Sequence, residues 1–568
     1  MTLVDRLSVA RGDRPAHLAL RNAQLINVWS GEIYLTDIIV HADRVVALGP
    51  GYAAEREIDL KGRYVCPGFI DAHVHIESSL LTPPEFARAV LPHGVTTVVT
   101  DPHEIANVLG IDGIRFMLDR AVGSPLNMYV MASSCVPATH METSGANLEA
   151  DDLAPLLDHP AVLGLAEVMN YPGVVYGDEG MIDKLEQFKS KVMDGHCPAL
   201  TGKPLNAYVS AGIGSEHECT TVAEALEKLR LGLTIFVREG TTTRNLRPLL
   251  PLINTQNHTR ICFCTDDRQP NSLMDEGSID YMVRTAIAAG VDPIMAIRMG
   301  TLNTAQYFRL HDHGVITPGK RADLVVFSDL RDLRPEMVFQ GGTLVAQDGA
   351  MVLERPPLRP VTLRPSLNVD AARLDFSISA QGSRIRVIGG LGDQVVTAHQ
   401  VNDARVLDGQ AVSDPGRDIL KMVVIERHHA SGKIGKGFIS GFGLKRGALA
   451  GTVAHDHHNL VVIGVDDVSM RRAVEAVIAM GGGLVAVDEQ GVLAQLPLPV
   501  AGLMTEIPLD QVRREYDALV AQAQALGSTM PDPFMAMSFM ALEVIPSLKL
   551  TDVGLVDVEA FKVVDLFV

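Results

Sequence analysis

The sequence predicts an α/β fold: a (β/α)8, TIM-like barrel combined with a small β-sandwich domain and a C-terminal α+β domain. Between Val65 and about Leu310, apolar runs such as TTVVT, VLGLAEV and ICFCT alternate with amphipathic stretches such as GIRFMLDRAV and IDYMVRTAIAAG. This alternation indicates repeated β/α units, and about 250 residues of it suit a closed eightfold barrel. The chain of 568 residues is long enough for such a barrel and further domains.

The segments on both sides of the predicted barrel have strand patterns. Residues 17 to 64 contain short alternating runs such as AQLINV and DIIVHA, and ADLVVFSD and GGTLVAQDGA resume the pattern after residue 315. We therefore expect residues 1–64 and 316–360 to form one discontinuous β domain around a barrel at 65–315. A proline-rich segment at 354–365 predicts an extended linker. The remaining part, 366–568, mixes β runs with two helical patterns, which predicts the α+β domain.

Composition limits the partners and the compartment. Lys and Arg number 49 against 68 Asp and Glu, a net charge of −19, and no basic run offsets it, which argues against a nucleic-acid surface. No stretch approaches about 18 uncharged apolar residues, so we expect no membrane association. Six scattered cysteines are too few for a disulfide framework and predict a reducing, cytoplasmic location. The expected partner is a small molecule.

The motif PGFIDAHVH carries the strongest local signal for chemistry. It places His73 and His75 two residues apart at the end of a hydrophobic strand. Alternate residues on a strand share a face, so both imidazoles can hold one cation. Two histidines at this spacing can also be structural, and other residues must decide between these interpretations.

Four more ligand-type side chains end later strand-like runs. They are Glu167 in VLGLAEVMN, His196 in VMDGHCP, His217 in GSEHE and Asp266 in ICFCTDD. Any one of them could be an ordinary polar residue. Because strand ends converge on one face of a barrel, however, the set predicts a pair of cation sites.

Several motifs together resemble the amidohydrolase superfamily, whose members are metal-dependent hydrolases on (β/α)8 barrels. They are PGFIDAHVH, AIRMGTLNTAQYFRL and GVITPGKRADLVVF. More narrowly, VVTDPHEIANVLG, FCTDDRQP, VAHDHHN and IPSLKLTDVGLVD are similar to the bacterial adenine deaminase family. The similarity runs from about residue 20 to the C-terminus.

The resemblance implies two divalent cations, manganese or iron(II), with zinc as the alternative. His73, His75 and Asp266 would hold the more buried cation and His196 and His217 the second, with Glu167 at or between them. Some relatives instead bridge the metals with a carboxylated lysine, and Lys184 and Lys189 remain open for that role. The resemblance also implies a homodimer or a larger homo-oligomer.

The implied reaction is hydrolytic deamination of adenine to hypoxanthine and ammonia by a metal-bound hydroxide at a binuclear site. Asp266 would move a proton to the leaving amine, and Glu167 would protonate the ring nitrogen unless it serves only as a bridge. One alternative is hydrolysis of another aminopurine or of a cyclic amide. A barrel that has lost catalysis and serves as a scaffold is a further alternative.

Other polar residues are candidates for contacts with the substrate. His103 and Glu104 in DPHE could orient the purine or support the metal-binding histidines. Ser133 could bond to the base, and His457 in VAHDHHN could reach the pocket from the C-terminal domain.

The residues around His217 and the following strand are expected to be structural. Glu218 would point away from His217 if both lay on a strand. Arg238 and Glu239 could pair with each other or with the substrate.

Overall fold

The computed structural model describes residues 2–355, 357–358, 361–392 and 395–568. The predicted linker at 354–365 and the predicted domain end at residue 360 include residues 356, 359 and 360, which lie outside the described residues.

The N-terminal part consists of one short helix followed by strands. The helix α1 (Leu3–Ala10) begins with a capping box in which Thr2 and Asp5 satisfy each other's backbone N–H groups. Strand β1 pairs antiparallel with β2 and parallel with β4 and β5. The strands are β1 (Ala16–Asn27), β2 (Glu32–His41), β3 (Arg44–Leu48), β4 (Ala54–Asp59) and β5 (Tyr64–Pro67).

The middle of the chain contains parallel strands that are buried on both faces, as their continuous apolar runs predict. Strands β6 to β10 form a five-stranded parallel sheet, and β11 to β13 form a three-stranded one. The strands are β6 (Phe69–Val74), β7 (Val95–Thr100), β8 (Asn127–Ala132), β9 (Val162–Val168), β10 (Val192–Gly195), β11 (Ser215–Glu216), β12 (Thr234–Arg238) and β13 (Ile261–Cys264).

Backbone hydrogen bonds connect the two parallel sheets at both of their edges. The N–H of Gly214, just before β11, donates to the carbonyl of Met193 in β10 at 2.9 Å. At the other edge the N–H of Asp266 donates to the carbonyl of His73 at 2.9 Å, and the N–H of His75 donates to the carbonyl of Asp266 at 3.2 Å. The residues that follow β13 therefore lie beside the end of β6.

Helices separate these strands in sequence. They are α2 (Pro83–Val90), α3 (His103–Leu109), α4 (Ile111–Ala121), α5 (Ala150–Leu153), α6 (Tyr171–Tyr176), α7 (Glu179–Phe188), α8 (Gly202–Ser210), α9 (Val222–Arg230) and α10 (Leu246–Leu249), with α11 (Pro270–Asp275), α12 (Ile279–Ala288), α13 (Pro293–Met299) and α14 (Leu302–Tyr307) after β13. Several begin with a side-chain cap, as at Asp292, whose carboxylate accepts from the first turn of α13.

Strands from the far side of the parallel region return to the N-terminal sheet. They are β14 (Leu324–Phe327), β15 (Met337–Gln340), β16 (Thr343–Gln347) and β17 (Ala350–Met351). Because β14 pairs antiparallel with β5, the strand order is β17-β16-β15-β14-β5-β1-β2-β3, with β4 on β1. One sheet thus combines strands from both flanks of the parallel region.

The C-terminal part is built on a mixed sheet with the order β19-β18-β23-β22-β25-β24-β26-β27. Its strands are β18 (Arg384–Gly390), β19 (Thr397–Asp403), β20 (Arg405–Leu407), β21 (Gln410–Val412), β22 (Leu420–Ile425), β23 (Ile434–Ser440), β24 (Ala448–Gly451), β25 (Leu460–Gly464), β26 (Gly483–Val487) and β27 (Val492–Pro497), of which β20 and β21 form a separate hairpin.

The remaining elements pack around this sheet, and some of them also contact the parallel region. They are α15 (Asp467–Met480), α16 (Leu509–Ala525), α17 (Pro533–Ser538), β28 (Leu548–Leu550), β29 (Leu555–Asp557) and β30 (Lys562–Val564). The two helical patterns predicted from sequence correspond to α15 and α16. Within the described ranges, no helix combines the length and the apolar character that a membrane crossing needs.

Candidate metal centre

The six ligand-type residues that the sequence singles out lie together at the carboxyl ends of the parallel strands. His73 is in β6 and His75 follows it, Glu167 is near the end of β9, and His196, His217 and Asp266 follow β10, β11 and β13. The structure therefore brings together residues separated by almost two hundred positions.

Glu167 lies between two pairs of histidines. Its Oε1 is 3.5 Å from Nε2 of His73 and 3.2 Å from Nε2 of His75. Its Oε2 is 2.7 Å from Nδ1 of His196 and 3.2 Å from Nε2 of His217. One carboxylate thus divides its two oxygens between two groups, which is the arrangement a bridge between neighbouring cations requires.

Asp266 completes the group around the first histidine pair. Its Oδ1 lies 3.1 Å from Nε2 of His75 and 3.6 Å from Nε2 of His73. Asp266 has a φ of +57°, in the left-handed region that aspartate tolerates better than most residues. The turn after β13 therefore directs its carboxylate towards β6.

The donor chemistry of this group fits a bound cation. The Nδ1 of His75 is 2.9 Å from the carbonyl oxygen of Asp101, so the proton belongs on Nδ1 and the lone pair of Nε2 faces the carboxylates. The Nε2 atoms of His73 and His75 are only 3.1 Å apart. Such a concentration of acceptors needs protons or metal ions to hold it together, and imidazole and carboxylate ligands suit manganese, iron or zinc.

The pKa shifts in the cluster also indicate a bound cation. Burial opposes a charged imidazole, but Glu167 and Asp266 outweigh it and raise the pKa of His73 to about 10. Burial likewise opposes a charged carboxylate, yet His217 and His73 hold the pKa of Glu167 well below its usual range. The buried carboxylates thus favour positive charge at this position, and a metal ion can replace the protons.

A buried arginine supports Asp266 from behind. Nη1 of Arg238 donates to Oδ2 of Asp266 at 2.8 Å, and Nη2 donates to Oε2 of Glu218 at 3.0 Å. Of the two partners that the sequence left open for Arg238, Glu239 does not pair with it, because Oε2 of Glu239 accepts from the backbone N–H of Leu246.

The prediction that Glu218 points away from His217 is also wrong. Its Oε1 lies 3.6 Å from Nε2 of His217 and 3.8 Å from Nδ1 of His196. The reason is that β11 ends at Glu216, so the alternation of a strand does not continue through these two residues.

His103 and Glu104 lie beside the cluster. Nδ1 of His103 is 2.9 Å from Oδ2 of Asp101 and 3.4 Å from Oε1 of Glu167. Oε1 of Glu104 is 3.3 Å from Nε2 of His103 and 2.6 Å from Nδ1 of His455. The C-terminal part of the chain therefore contacts the cluster through Glu104.

Ser133 and His457 are not brought to the cluster. The hydroxyl of Ser133 donates to Oδ1 of Asp101 at 2.9 Å. His457 faces Glu142 and Glu543, with its Nδ1 3.5 Å and 3.7 Å from their carboxylates. The turn in VAHDHHN instead directs His455 to the cluster.

The two lysines left open by the sequence lie elsewhere. Nζ of Lys184 donates to the carbonyl of Ser134 at 3.0 Å, and Nζ of Lys189 donates to Glu186 on the surface at 2.9 Å. Of Glu167, Lys184 and Lys189, only Glu167 lies between the histidine pairs.

A cavity next to the cluster is lined by the VAHDHHN segment and by apolar residues that the sequence did not single out. Phe539, Leu542 and Val544 form an apolar wall, and His455 and Asp456 provide polar atoms beside it. The ring of His455 stacks on that of Phe539, with centroids 4.6 Å apart. Among the described residues, Nε2 of His455 and Oδ2 of Asp456 are buried and have no hydrogen-bond partner, so they are available to a bound molecule.

Asp101 is another residue that the sequence analysis missed. It contacts His75, His103 and Ser133. Asp101 directly follows β7 and is the first residue of the DPHE motif. The convergence of parallel strand ends, which predicted the six ligands, could therefore also have identified Asp101.

Comparison with known proteins places this geometry in context. Residues 64–345 match the amidohydrolase family, and residues 394–562 match the adenine deaminase C-terminal domain. Adenine deaminase from Desulfatibacillum aliphaticivorans is 52% identical over 565 residues, which is 99% of each chain. Adenine deaminase from Kosmotoga olearia is 47% identical, covering 100% of this chain and 99% of that one. Adenine deaminase from Methanothrix thermoacetophila is 46% identical over 100% of both chains.

Proposed function

Because this chain belongs to the adenine deaminase family, we propose that it hydrolyses adenine to hypoxanthine and ammonia at the cluster around Glu167. The observation that carries the proposal is the division of the Glu167 oxygens between two histidine pairs. A site of this composition, in a chain similar over its whole length to adenine deaminases, supports water-dependent replacement of the exocyclic amine.

We propose that two divalent cations bind here, one at His73, His75 and Asp266 and one at His196 and His217, with Glu167 shared. Manganese or iron(II) suits this thiolate-free set, and zinc is the alternative. When bound, such cations lower the pKa of water from 15.7 towards 7 and so supply a nucleophile at neutral pH.

For the architecture, we propose that the two parallel sheets form one closed (β/α)8 barrel. The hydrogen bonds at Gly214 and at Asp266 support closure on both sides. The corresponding domains are residues 1–64 with 316–360, 65–315 and 366–568. This arrangement would place every candidate ligand on one rim.

The protein's own carboxylates can move the required protons. Water loses one proton when it attacks the ring carbon and its second when the new hydroxyl becomes a carbonyl. The adjacent ring nitrogen gains one of these protons, and the amine gains the other and leaves as ammonia as its C–N bond breaks. Asp266, held by Arg238, is the proposed carrier of the proton to the amine. Glu167, the proposed donor to the ring nitrogen, is ionised because its pKa lies well below its usual range, so it can give only a proton that it first takes from the attacking water.

The cavity beside the cluster can orient a purine. His103, Glu104, His455 and Asp456 all line it, and among the described residues Nε2 of His455 and Oδ2 of Asp456 have no hydrogen-bond partner. A ring N–H can donate to Oδ2 of Asp456, and Phe539, Leu542 and Val544 offer an apolar surface to a flat base. We propose that these residues position the substrate, with His455 taking the part first expected of His457.

The test is incubation of the metal-replete protein with adenine, with hypoxanthine and ammonia both measured. We expect equal amounts of the two products. Parallel assays with guanine, adenosine and dihydroorotate test the alternative of another aminopurine or a cyclic amide. Turnover of one of those compounds without turnover of adenine would contradict the proposal.

A further inference from the structure

A second buried group of metal-ligand side chains lies outside the cluster around Glu167. It consists of Glu142, His457 and Glu543, which are 4%, 0% and 0% exposed. Nδ1 of His457 lies 3.5 Å from Oε2 of Glu142 and 3.7 Å from Oε1 of Glu543. Two carboxylates and an imidazole therefore meet at one point in the interior.

Each of the three side chains is held by the protein at one polar atom. Oε1 of Glu142 accepts from Nδ2 of Asn459 at 2.8 Å, and Oε1 of Glu543 accepts from the hydroxyl of Thr139. Nε2 of His457 lies 3.4 Å from the carbonyl oxygen of Thr139. These contacts fix the orientation of the side chains in the way that outer hydrogen bonds orient metal ligands.

The second polar atom of each side chain has no hydrogen-bond partner among the described residues. Within the described part of the chain, Oε2 of Glu142, Oε2 of Glu543 and Nδ1 of His457 are buried without a hydrogen-bond partner. Leaving a buried polar group unsatisfied costs about 1–3 kcal/mol, and more for a charged group. Three such atoms, on side chains that meet at Nδ1 of His457, indicate that these side chains bind a ligand from outside the protein.

Charge identifies the class of that ligand. With the proton of His457 on Nε2, facing a carbonyl, the lone pair of Nδ1 faces two carboxylates, so every free atom is an acceptor. Burial and the neighbouring Glu543 carboxylate raise the pKa of Glu142 well above its usual range. Zinc with ligand bonds of about 2.1 Å separates tetrahedral ligands by about 3.4 Å, close to the 3.5 Å between Nδ1 of His457 and Oε2 of Glu142.

We propose that Glu142, His457 and Glu543 bind one divalent cation, zinc or manganese, at a structural site separate from the cluster around Glu167. Glu142 lies in the segment between β8 and α5, His457 between β24 and β25, and Glu543 after α17. The cation would fasten a loop of the parallel region to the C-terminal part. The proposal is independent of the proposed function, because it needs no reaction.

Metal analysis of matched variants tests this site. Glu543→Gln keeps the shape of the side chain but removes its charge, and Glu559→Gln makes the same change at a glutamate that bonds to Ser547 at the surface. After growth with zinc or manganese and removal of free metal, we expect Glu543→Gln to contain one metal ion per chain less than the wild-type protein and than Glu559→Gln. Equal contents in all three proteins would overturn the proposal.

A direct measurement covers the case in which Glu543→Gln does not fold. Crystals of the wild-type protein soaked in manganese should give an anomalous peak between Glu142, His457 and Glu543. A map with peaks at the cluster around Glu167 and none here would contradict the site. Because neither readout uses adenine, a failure of this proposal is distinguishable from a failure of the proposed reaction.

Discussion

Arg238 donates to Asp266 at 2.8 Å in the interior of the protein, and the same guanidinium holds Glu218. The pairing fixes Asp266 where its other oxygen faces His75. Burial opposes a charged guanidinium, but Glu218 and Asp266 outweigh it and raise the pKa of Arg238 above its ordinary value. Arg238 is therefore a positioning residue for the carboxylate that we propose moves a proton.

Removing this arginine should cost stability. Arg238→Met leaves two buried carboxylates without their partner, and breaking a buried ion pair in this way costs about 3–5 kcal/mol. We expect a lower unfolding temperature and a lower kcat for adenine. Adding Glu218→Gln to Arg238→Met should recover part of the stability, since one unpaired charge is gone. Unchanged stability of Arg238→Met would contradict this role.

Asp266 itself should be required for the chemical step. Asp266→Asn removes the proposed proton carrier, and general acid–base catalysis contributes about 10²–10⁴-fold to a rate. We expect kcat, measured by ammonia release, to fall by at least that factor. Asp275→Asn is the matched control, because this carboxylate is exposed and pairs with Arg513. Similar losses of kcat in both variants would contradict the proposed role of Asp266 as the proton carrier.

The six candidate ligands were predictable because they depend on one simple rule. Parallel strands end on one side of a sheet, so polar residues that follow apolar runs meet in space whatever their separation in sequence. The roles of His455 and Glu218 escaped the same analysis. They depend on where a two-residue strand ends and on how a loop turns, and neither property is set by local periodicity.

The fold shows the same division between what sequence determines and what it does not. Apolar periodicity was enough to predict the parallel strands, the flanking β segments and the helices α15 and α16. It could not predict the contact of the C-terminal part with Glu104, because that contact depends on packing between segments about 350 residues apart.

Chelation should abolish the reaction reversibly. The ligands of the cluster are buried histidines and carboxylates, so a metal-free protein keeps its side chains but loses the means to activate water. We expect no ammonia release after dialysis against a strong chelator and recovery on addition of manganese. Full activity in protein shown by metal analysis to be free of metal would contradict the assignment.

We expect the carboxylate of Asp456 to contribute to kcat/KM for adenine. Asp456→Asn changes a buried acceptor that faces the cavity, and losing one such hydrogen bond costs about 1–3 kcal/mol, roughly a 5- to 150-fold loss in kcat/KM for adenine. His399→Ala, a change at a partly exposed histidine near Asp557, is the control and should behave as the wild type. An unchanged kcat/KM in Asp456→Asn would place the substrate elsewhere.

The stability of the protein should depend on pH through Asp280, a buried carboxylate outside the cluster around Glu167. Burial alone would raise its pKa, but His93 and Arg284 outweigh burial and lower it to about 2. A carboxylate whose pKa is lower in the folded protein than in the unfolded chain stabilises the fold at pH values above the unfolded pKa. This contribution to the free energy of unfolding is lost as the pH falls from about 4 towards 2.

Thermal unfolding of Asp280→Asn at several pH values measures this contribution. The variant should be less stable than the wild type by about 2 kcal/mol at pH values above about 5, with the deficit shrinking as the pH falls from 4 towards 2. A deficit that grew on acidification would contradict the assignment of the shift to His93 and Arg284.

Isotope labelling tests most directly whether water replaces the amine of adenine at this cluster. Metal-replete protein is incubated with adenine in water labelled with heavy oxygen, beside Glu167→Gln as the comparison. The account predicts that the wild type forms hypoxanthine carrying one labelled oxygen, together with one ammonia for each adenine consumed, and that Glu167→Gln forms little of either. Recovery of unchanged adenine from the metal-replete wild type, with no ammonia, would contradict it.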